Sequence, residues 1–551
     1  MQLDHLARFP FNLDATALAW VKASFEKLTP DEKISQLFNL RSQGNDPAEL
    51  ERQQRFKPGG LTLHFAPDAS DSGGIIAAFN RSAPVPIIVS GDLEGSRMSL
   101  PFGTEVPNPL ALAAIDDVEA TRRISRIMAR EARAAGMHWS FTPVLDINAA
   151  FRSAIVATRG YGSDVATIER HALAQLEAFQ AEGIAATLKH WPGEGYDDRD
   201  QHLVTTINPL TMADWEQTFG RLYRRAIEAG ALSVMSAHIA LPSFIRSVNP
   251  DAGLEAYRPA SISHMLTTEL LRDKLGFNGL IVSDATGMAG LGSWSSRRDY
   301  LPEILTAGCD VILFSPDFEQ DAAWLKEALA DGRLTWERVD DAVIRQLGLK
   351  AKLGLHRPQS HDLSVIGTAD DRAYAAEVTR RAPTLVKDVQ ALLPLDPEKH
   401  RRVLFISPGI VFPFMPQPLP FAVPDMLREH GFEVTLYDPS VDITRENFDL
   451  LFYAFGDETL LTRSHIFIDW LRLTGHFGKA MQRHWHDIPT VMVSFGFPYL
   501  LYDAPRVPTY INAYSTTETM QQAVVDALLG KLDWNSNSPV DPFCGLGDAK
   551  Y

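Results

Sequence analysis

The run Lys189-His190-Trp191-Pro192-Gly193-Glu194-Gly195-Tyr196-Asp197-Asp198-Arg199-Asp200-Gln201-His202 concentrates the groups in this chain best suited to chemistry. Asp200 stands two residues before His202, so its carboxylate can bond one ring nitrogen and leave the other to give and take a proton. An imidazole ordinarily titrates near pH ~6.5, and a carboxylate partner favours its cation. A second segment, Gly279-Leu-Ile-Val-Ser-Asp284, ends an apolar run in a lone carboxylate suited to attack an electrophilic carbon. On position alone Asp284 could equally cap the helix that follows, and a loop histidine such as His202 could be a surface residue.

These groups need a scaffold, and the pattern of apolar runs supplies one. Strand candidates are Gln36–Leu40, Gly60–Phe65, Pro86–Gly91, His138–Leu145, Ile184–Leu188, Leu232–His238, Gly279–Ser283 and Cys309–Phe314. They are continuously apolar, as parallel strands covered by helices are. Amphipathic segments lie between them, among them Val118–Ala135, Ile168–Glu182, Met212–Glu228 and Ile262–Leu275. This alternation predicts a (β/α)8 barrel over residues 1–356, its last helix stopping at Gly354. Asp92, Asp146, His190, His238 and Asp284 each fall at or just past the C-terminal end of a strand candidate, the catalytic face of such a barrel.

A linker and lead-in helix are expected over 357–383, and a smaller α/β/α sandwich over 384–551. Its strands are Val403–Ile406, Glu433–Tyr437, Leu450–Ala454, Thr490–Ser494 and Thr509–Ala513, followed by an irregular tail after Leu532. At 551 residues two domains are the expectation. The apolar share of 45% and charged share of 22% are those of a globular protein, and a net charge of −17 argues against nucleic acid or an anionic membrane as partner. The two cysteines, Cys309 and Cys544, build no disulfide framework, and no Cys/His cluster has zinc spacing. The N-terminus lacks a basic region followed by a long apolar core, and no apolar run reaches membrane-spanning length, so a cytoplasmic home is expected.

Several ordered motifs carry a family resemblance. They are Asp92-Leu-Glu94-Gly95, Pro143-Val-Leu-Asp146-Ile-Asn148, Arg159-Gly-Tyr-Gly162, the Lys189–His202 loop, Met235-Ser-Ala-His238, and Gly279–Asp284 with Met288 four residues on. In these the chain resembles glycoside hydrolase family 3, in particular its β-N-acetylglucosaminidase branch, over roughly residues 30–355. The resemblance implies a retaining glycosidase with Asp284 as nucleophile, His202 as acid/base and Asp200 as its partner. It places sugar recognition on Asp92, Arg159, Lys189 and His190; His238 and Met288 are further substrate-side candidates, His238 alternatively a brace and Met288 a lining residue for the acetamido region. Asp146 and Arg159 could instead form a structural ion pair at the rim.

Four departures from the branch affect its outer contacts. Glu194 and Tyr196-Asp197 replace its His and Asp-Thr, Ser96 replaces a second glycine, and Leu100 stands where a second arginine is usual. Glu194, Asp197 and Asp198 read as solvated loop charges.

The activity so implied is release of terminal β-GlcNAc from muropeptides or chitooligosaccharides, as in peptidoglycan recycling, with no metal or organic cofactor. The alternatives are a β-N-acetylglucosaminide phosphorylase, a β-glucosidase of the wider family, or a catalytically silent carbohydrate-binding protein. The second domain offers no obvious catalytic carboxylate and reads as a relic or a dimerisation surface, which leaves room for a homodimer.

Overall fold

The computed structural model describes residues 3–42, 46–63, 69–359, 361–413 and 415–551. Eight parallel strands close into a barrel: β1 (Phe38–Arg41), β2 (Gly60–Thr62), β3 (Ile88–Gly91), β4 (Trp139–Ser140), β5 (Ala185–Trp191), β6 (Ser233–Ser236), β7 (Leu280–Ala285) and β8 (Val311–Leu313). Each pairs with its neighbours in chain order, and β8 closes onto β1 through Phe38↔Ile312 and Asn39↔Leu313. The (β/α)8 expectation thus matches the structure, with all eight apolar runs supplying a strand.

Boundaries differ for local reasons. Gln36 ends a helix, Pro30–Gln36, whose start is fixed by a capping box between Thr29 and Glu32, so β1 begins only at Phe38. β4 stops at Ser140, ahead of Pro143, which has no N–H to give a ladder; pairing resumes as a lone bridge between Val144 and Lys189. The predicted strand over Gly60–Phe65 is observed to Thr62, and His64 and Phe65 lie outside the described residues. The helix expected over Met212–Glu228 breaks at Thr218 (φ −108, ψ −96) into two pieces. Ile262–Leu275 resolves into a short 3-10 turn, Ala260–Ile262, and a π-helix, Met265–Lys274.

The second sheet contains β9 (Thr384–Asp388), β10 (Arg402–Ile406), β11 (Glu433–Leu436), β12 (Leu450–Asp457), β13 (Thr490–Ser494) and β14 (Thr509–Asn512), in the order β9-β14-β13-β12-β10-β11. All neighbours are parallel except β9 with β14. Helices pack on this sheet to make the α/β/α domain, and β12 and β13 form its centre, buried throughout except at Asp457. The tail after Leu532 is irregular but not loose: Asn537 N donates to Ala114 O, and Pro539 O accepts from Ser163 N.

The apolar core of the second domain does not end at the domain's own chain. Leu110, Ala111, Ala114, Ala154 and Ala157, all from the barrel half, are buried in the same cluster as Leu451, Val493 and Tyr514. Asn108 Nδ2 reinforces the junction by donating to Tyr514 O at 2.6 Å. No described helix is long and apolar enough to cross a membrane.

Candidate active site

Strand ends deliver the polar groups. β3 runs out into Asp92 and Glu94, β5 carries Lys189 and His190, and β7 ends with Asp284 and Ala285. Lys189 Nζ donates to Asp92 Oδ1 at 2.7 Å and sits 2.7 Å from Glu94 Oε1. Arg159, on the short turn Ala157–Arg159, grips Glu94 from the other side with Nε and Nη2 at 2.8 and 2.9 Å. Burial alone would push the Glu94 carboxyl up, but Arg159 and Lys189 outweigh it and hold it well below the usual carboxylate range. Glu94 thus anchors both cations, while Asp92 is the more exposed of the two carboxylates.

His190 is held by its neighbour strand. Its Nδ1 lies 2.5 Å from Asp146 Oδ2 and its backbone N donates to Asp146 Oδ1 at 3.1 Å, while Nε2 lies 3.4 Å from Arg159 Nη2. An Asp146–Arg159 ion pair, one of the sequence expectations, is therefore replaced by two others, Asp146–His190 and Glu94–Arg159. The reason is reach: the segment after β4 runs beside β5 at the Val144–Lys189 bridge and sets Asp146 against His190, whereas Arg159 comes over from the turn Ala157–Arg159.

The loop after β5 is threaded tightly under the rim. Gly195 has φ +109, and a Cβ there would fall 1.9 Å from Ile147 O, so only glycine fits. A Cβ on Gly193, at φ +121, would fall 2.3 Å from the Phe219 ring. Ala149 N and Ala150 N donate to Gly195 O, lacing the loop onto the segment after Asp146.

This course turns Glu194 inward. It is 3% exposed, its N donates to Asp146 Oδ1 at 2.9 Å, and its Oε2 accepts from Gln201 Nε2 at 3.0 Å. The expectation of a solvated charge is overturned for Glu194. It also fails for Asp197, which accepts from Arg199 and from Ile207 N. Asp198 stays partly exposed, 3.7 Å from His465.

At the loop's end His202 Nδ1 lies 2.7 Å from Asp200 Oδ1, and its backbone N donates to the same oxygen at 2.8 Å. With Nδ1–H facing Asp200, Nε2 is left for a ligand in the cavity that His202 lines. Asp200 Oδ2 accepts from Thr462 N at 2.8 Å, a bond from the second domain. Burial would raise Asp200, but His202 outweighs it and keeps the carboxyl below its ordinary range.

Asp284 is buried on the cavity wall, and its Oδ1 accepts from Ala285 N at 2.6 Å. Burial favours its neutral form, yet His190, His238, His202 and the Ala285 N–H together hold it below the usual carboxylate range. Met288 lines the same cavity. His238 does not: its Nδ1 pairs with Ser261 Oγ at 2.8 Å and its Nε2 with Ala285 O at 3.1 Å, behind β7. Burial pushes its imidazole down while Asp284 and the Ala285 carbonyl oppose that, and the ring, absent from the cavity lining, braces the Asp284 strand.

The cavity measures about 1100 Å³ and collects Asp92, Arg159, Lys189, His190, His202 and Asp284. Across from them stand second-domain residues, including Glu458, Leu461, Thr462 and Thr516. Glu458 Oε1 accepts from Ser96 Oγ at 2.9 Å, Thr516 N at 2.8 Å and Thr516 Oγ1 at 2.6 Å, and burial pushes its carboxyl up. The second domain therefore brings a carboxyl to the cavity wall, although its sequence carries no obvious catalytic carboxylate motif. Ser96, in place of a glycine, helps hold it.

Asp146, His190 and Glu194 put ligand-type atoms within 4.8 Å of one another, close enough for a cation, but hydrogen bonds already join them to each other and to the loop. Sequence reasoning missed the anchoring role of Glu94, although two cations converging at strand ends call for a buried anion. The Thr462 amide had no signal at all, because every residue but proline has one.

A barrel with a carboxylate and a carboxylate-paired imidazole on its C-terminal face has the groups that an enzyme working by displacement and proton transfer needs. Residues 31–349 match the glycosyl hydrolase family 3 N terminal domain. The chain is 37% identical to a β-N-acetylglucosaminidase/β-glucosidase of Cellulomonas fimi, covering 98% of this chain and 99% of that one. It is 32% identical to a β-hexosaminidase of Vibrio cholerae over 46% of this chain and 74% of that one. Among solved structures, the β-glucoside phosphorylase BglX superposes with a TM-score of 0.92 at 32% identity, covering all of both chains. The chain belongs to glycosyl hydrolase family 3. It is a glycosidase, and its substrate is a carbohydrate.

Proposed function

We propose that this glycosidase is a retaining, exo-acting β-N-acetylglucosaminidase with Asp284 as nucleophile and His202 as acid/base. The observation that carries this reading is that Asp284, held ionised by three imidazoles, and His202, paired with Asp200, line one cavity with the sugar-binding candidates. In the first step Asp284 attacks the anomeric carbon, the C–O bond to the aglycone breaks, and protonated His202 gives its proton to the departing oxygen. In the second, neutral His202 takes a proton from water as that water displaces Asp284 and frees the sugar. Asp200 stabilises the imidazolium in both directions. Asp92, Lys189, Arg159 and His190 meet the sugar hydroxyls.

Full-length likeness to a β-N-acetylglucosaminidase/β-glucosidase supports a terminal β-GlcNAc or β-glucosyl donor; muropeptide or chitooligosaccharide fragments as the natural chains are part of the proposal. A second reading, phosphorolysis, is favoured by the equally complete likeness to a phosphorylase. An imidazole left neutral after the first step does not repel phosphate as a carboxylate would. A panel of aryl β-GlcNAc, β-GalNAc and β-glucoside, each with and without phosphate, tests both readings. Free GlcNAc at a rate indifferent to phosphate supports hydrolysis, whereas GlcNAc-1-phosphate as the main product replaces it. Preference for the glucoside over the GlcNAc substrate discards the donor named here.

A further inference from the structure

Glu194 sits where two hydrogen-bonded pairs meet, and no step of the proposed reaction uses it. Its backbone N shares Asp146 Oδ1 with the N of His190, and its Oε2 lies 3.6 Å from His190 Nδ1. The same Oε2 accepts from Gln201 Nε2 at 3.0 Å, and Gln201 stands between Asp200 and His202 in the chain. Gln201 Oε1 in turn accepts from His238 N at 3.1 Å, so its amide is oriented from both ends. Glu194 Oε1 is buried and has no hydrogen-bond partner among the described residues.

We propose that Glu194 is a positioning residue that ties the loop of the Asp200–His202 pair to the His190–Asp146 pair, with Gln201 as the relay. The proton donor is thereby held at a fixed distance from the sugar-binding floor. Without this tie the loop from Tyr196 to His202 would keep its bonds from Thr462 N, Ala289 N, Ile207 N and His238 N, but none of them joins it to the His190–Asp146 pair.

The charged and titratable groups facing Glu194 are Asp146, His190, Arg159, Asp284 and Asp200. Burial pushes its carboxyl well above the usual range, Asp146 adds to this, Arg159 opposes it, and Asp284 and Asp200 raise it further. Held neutral, Glu194 gives Gln201 an acceptor without adding another anion beside Asp146 and the nucleophile. An ionised Oε1 with no partner in that setting would be costly.

The proposal rests on His202 being the proton donor, so the test compares two β-GlcNAc glycosides by kcat/KM. A dinitrophenyl aglycone leaves without a proton, whereas an alkyl aglycone needs one. Glu194→Ala should lower the alkyl substrate by about tenfold to a hundredfold and the dinitrophenyl substrate by less than about threefold. Glu194→Gln should recover most of that loss, because its amide oxygen can still accept from Gln201. Gln201→Ala should reproduce the alanine pattern and gives a second route should Glu194→Ala fail to fold. The infrared spectrum of the native enzyme should carry the carbonyl stretch of a protonated carboxylic acid that disappears in Glu194→Gln. Equal losses on both aglycones in a folded variant, or no recovery by glutamine, overturn the proposal. If His202→Ala itself shows no split between aglycones, the donor assignment falls and this proposal with it. A split there but none at Glu194 removes the present proposal alone.

Discussion

On the sugar-binding flank of the cavity, Asp92, Glu94, Arg159 and Lys189 hold one another through contacts of 2.7–2.9 Å, all carried by strand ends or the turn beside them. On the proton-transfer flank, Asp200 and His202 ride on a loop whose tethers come from elsewhere: Gln201 to Glu194, and Asp200 to Thr462 of the second domain. The first flank is therefore a property of the barrel itself. The second draws its bonds from loop, barrel and sandwich domain together.

The sharpest way to separate the flanks is through the groups that react. Asp284→Asn should cut kcat/KM by on the order of a thousandfold or more for every aglycone while leaving the melting temperature near native, because no bond-forming carboxylate remains. Retention of activity would remove Asp284 from the mechanism. His202→Ala should cost about a hundredfold to ten-thousandfold on alkyl glycosides and far less on a dinitrophenyl glycoside. An equal cost on both would mean that the loop flank does more than transfer a proton.

The sugar flank should break differently, through stability. Glu94→Ala leaves the buried Arg159 and Lys189 without their shared anion and should destabilise the fold by about 3–5 kcal/mol, measured by denaturant titration. A loss below about 1 kcal/mol would show that the two cations find other partners.

The smallest effect concerns Asp457, the last residue of β12 and the neighbour of Glu458. Burial raises its pKa to about 7, opposed by Arg463 and Arg472. Its unfolded value is that of an ordinary carboxyl, so the unfolded chain ionises first as pH rises, and stability falls between about pH 4 and pH 7. Asp457→Asn should erase that slope and stabilise the protein at alkaline relative to acidic pH, by about 1–2 kcal/mol after solvent screening. A pH-independent difference between the two proteins in thermal melts would contradict the raised value.

Much of the barrel was legible because burial on both faces writes itself as unbroken apolar runs, and all eight became strands. Their ends were less so, since Gln36 belongs to a capped helix and Pro143 interrupts a ladder. In the site, spacing alone brought Asp200 to His202, a contact two residues apart in the chain. The burial of Glu194 was not legible: a glutamate between two glycines in an acidic loop looks solvated until Gly195 is seen pressed against Ile147 O. Glu458 and Thr462 were out of reach for another reason, since their roles arise only from docking of one domain on the other.

The sharing of Leu110, Ala111, Ala114, Ala154 and Ala157 between the halves has its own consequence. A chain truncated after the barrel would bare a sticky apolar scar as well as losing the Thr462 tether, so such a fragment should aggregate rather than survive as a minimal enzyme. Heating the intact chain should accordingly melt both halves in one calorimetric peak, and the smaller half is as much a structural keel for the larger as an appendage to it.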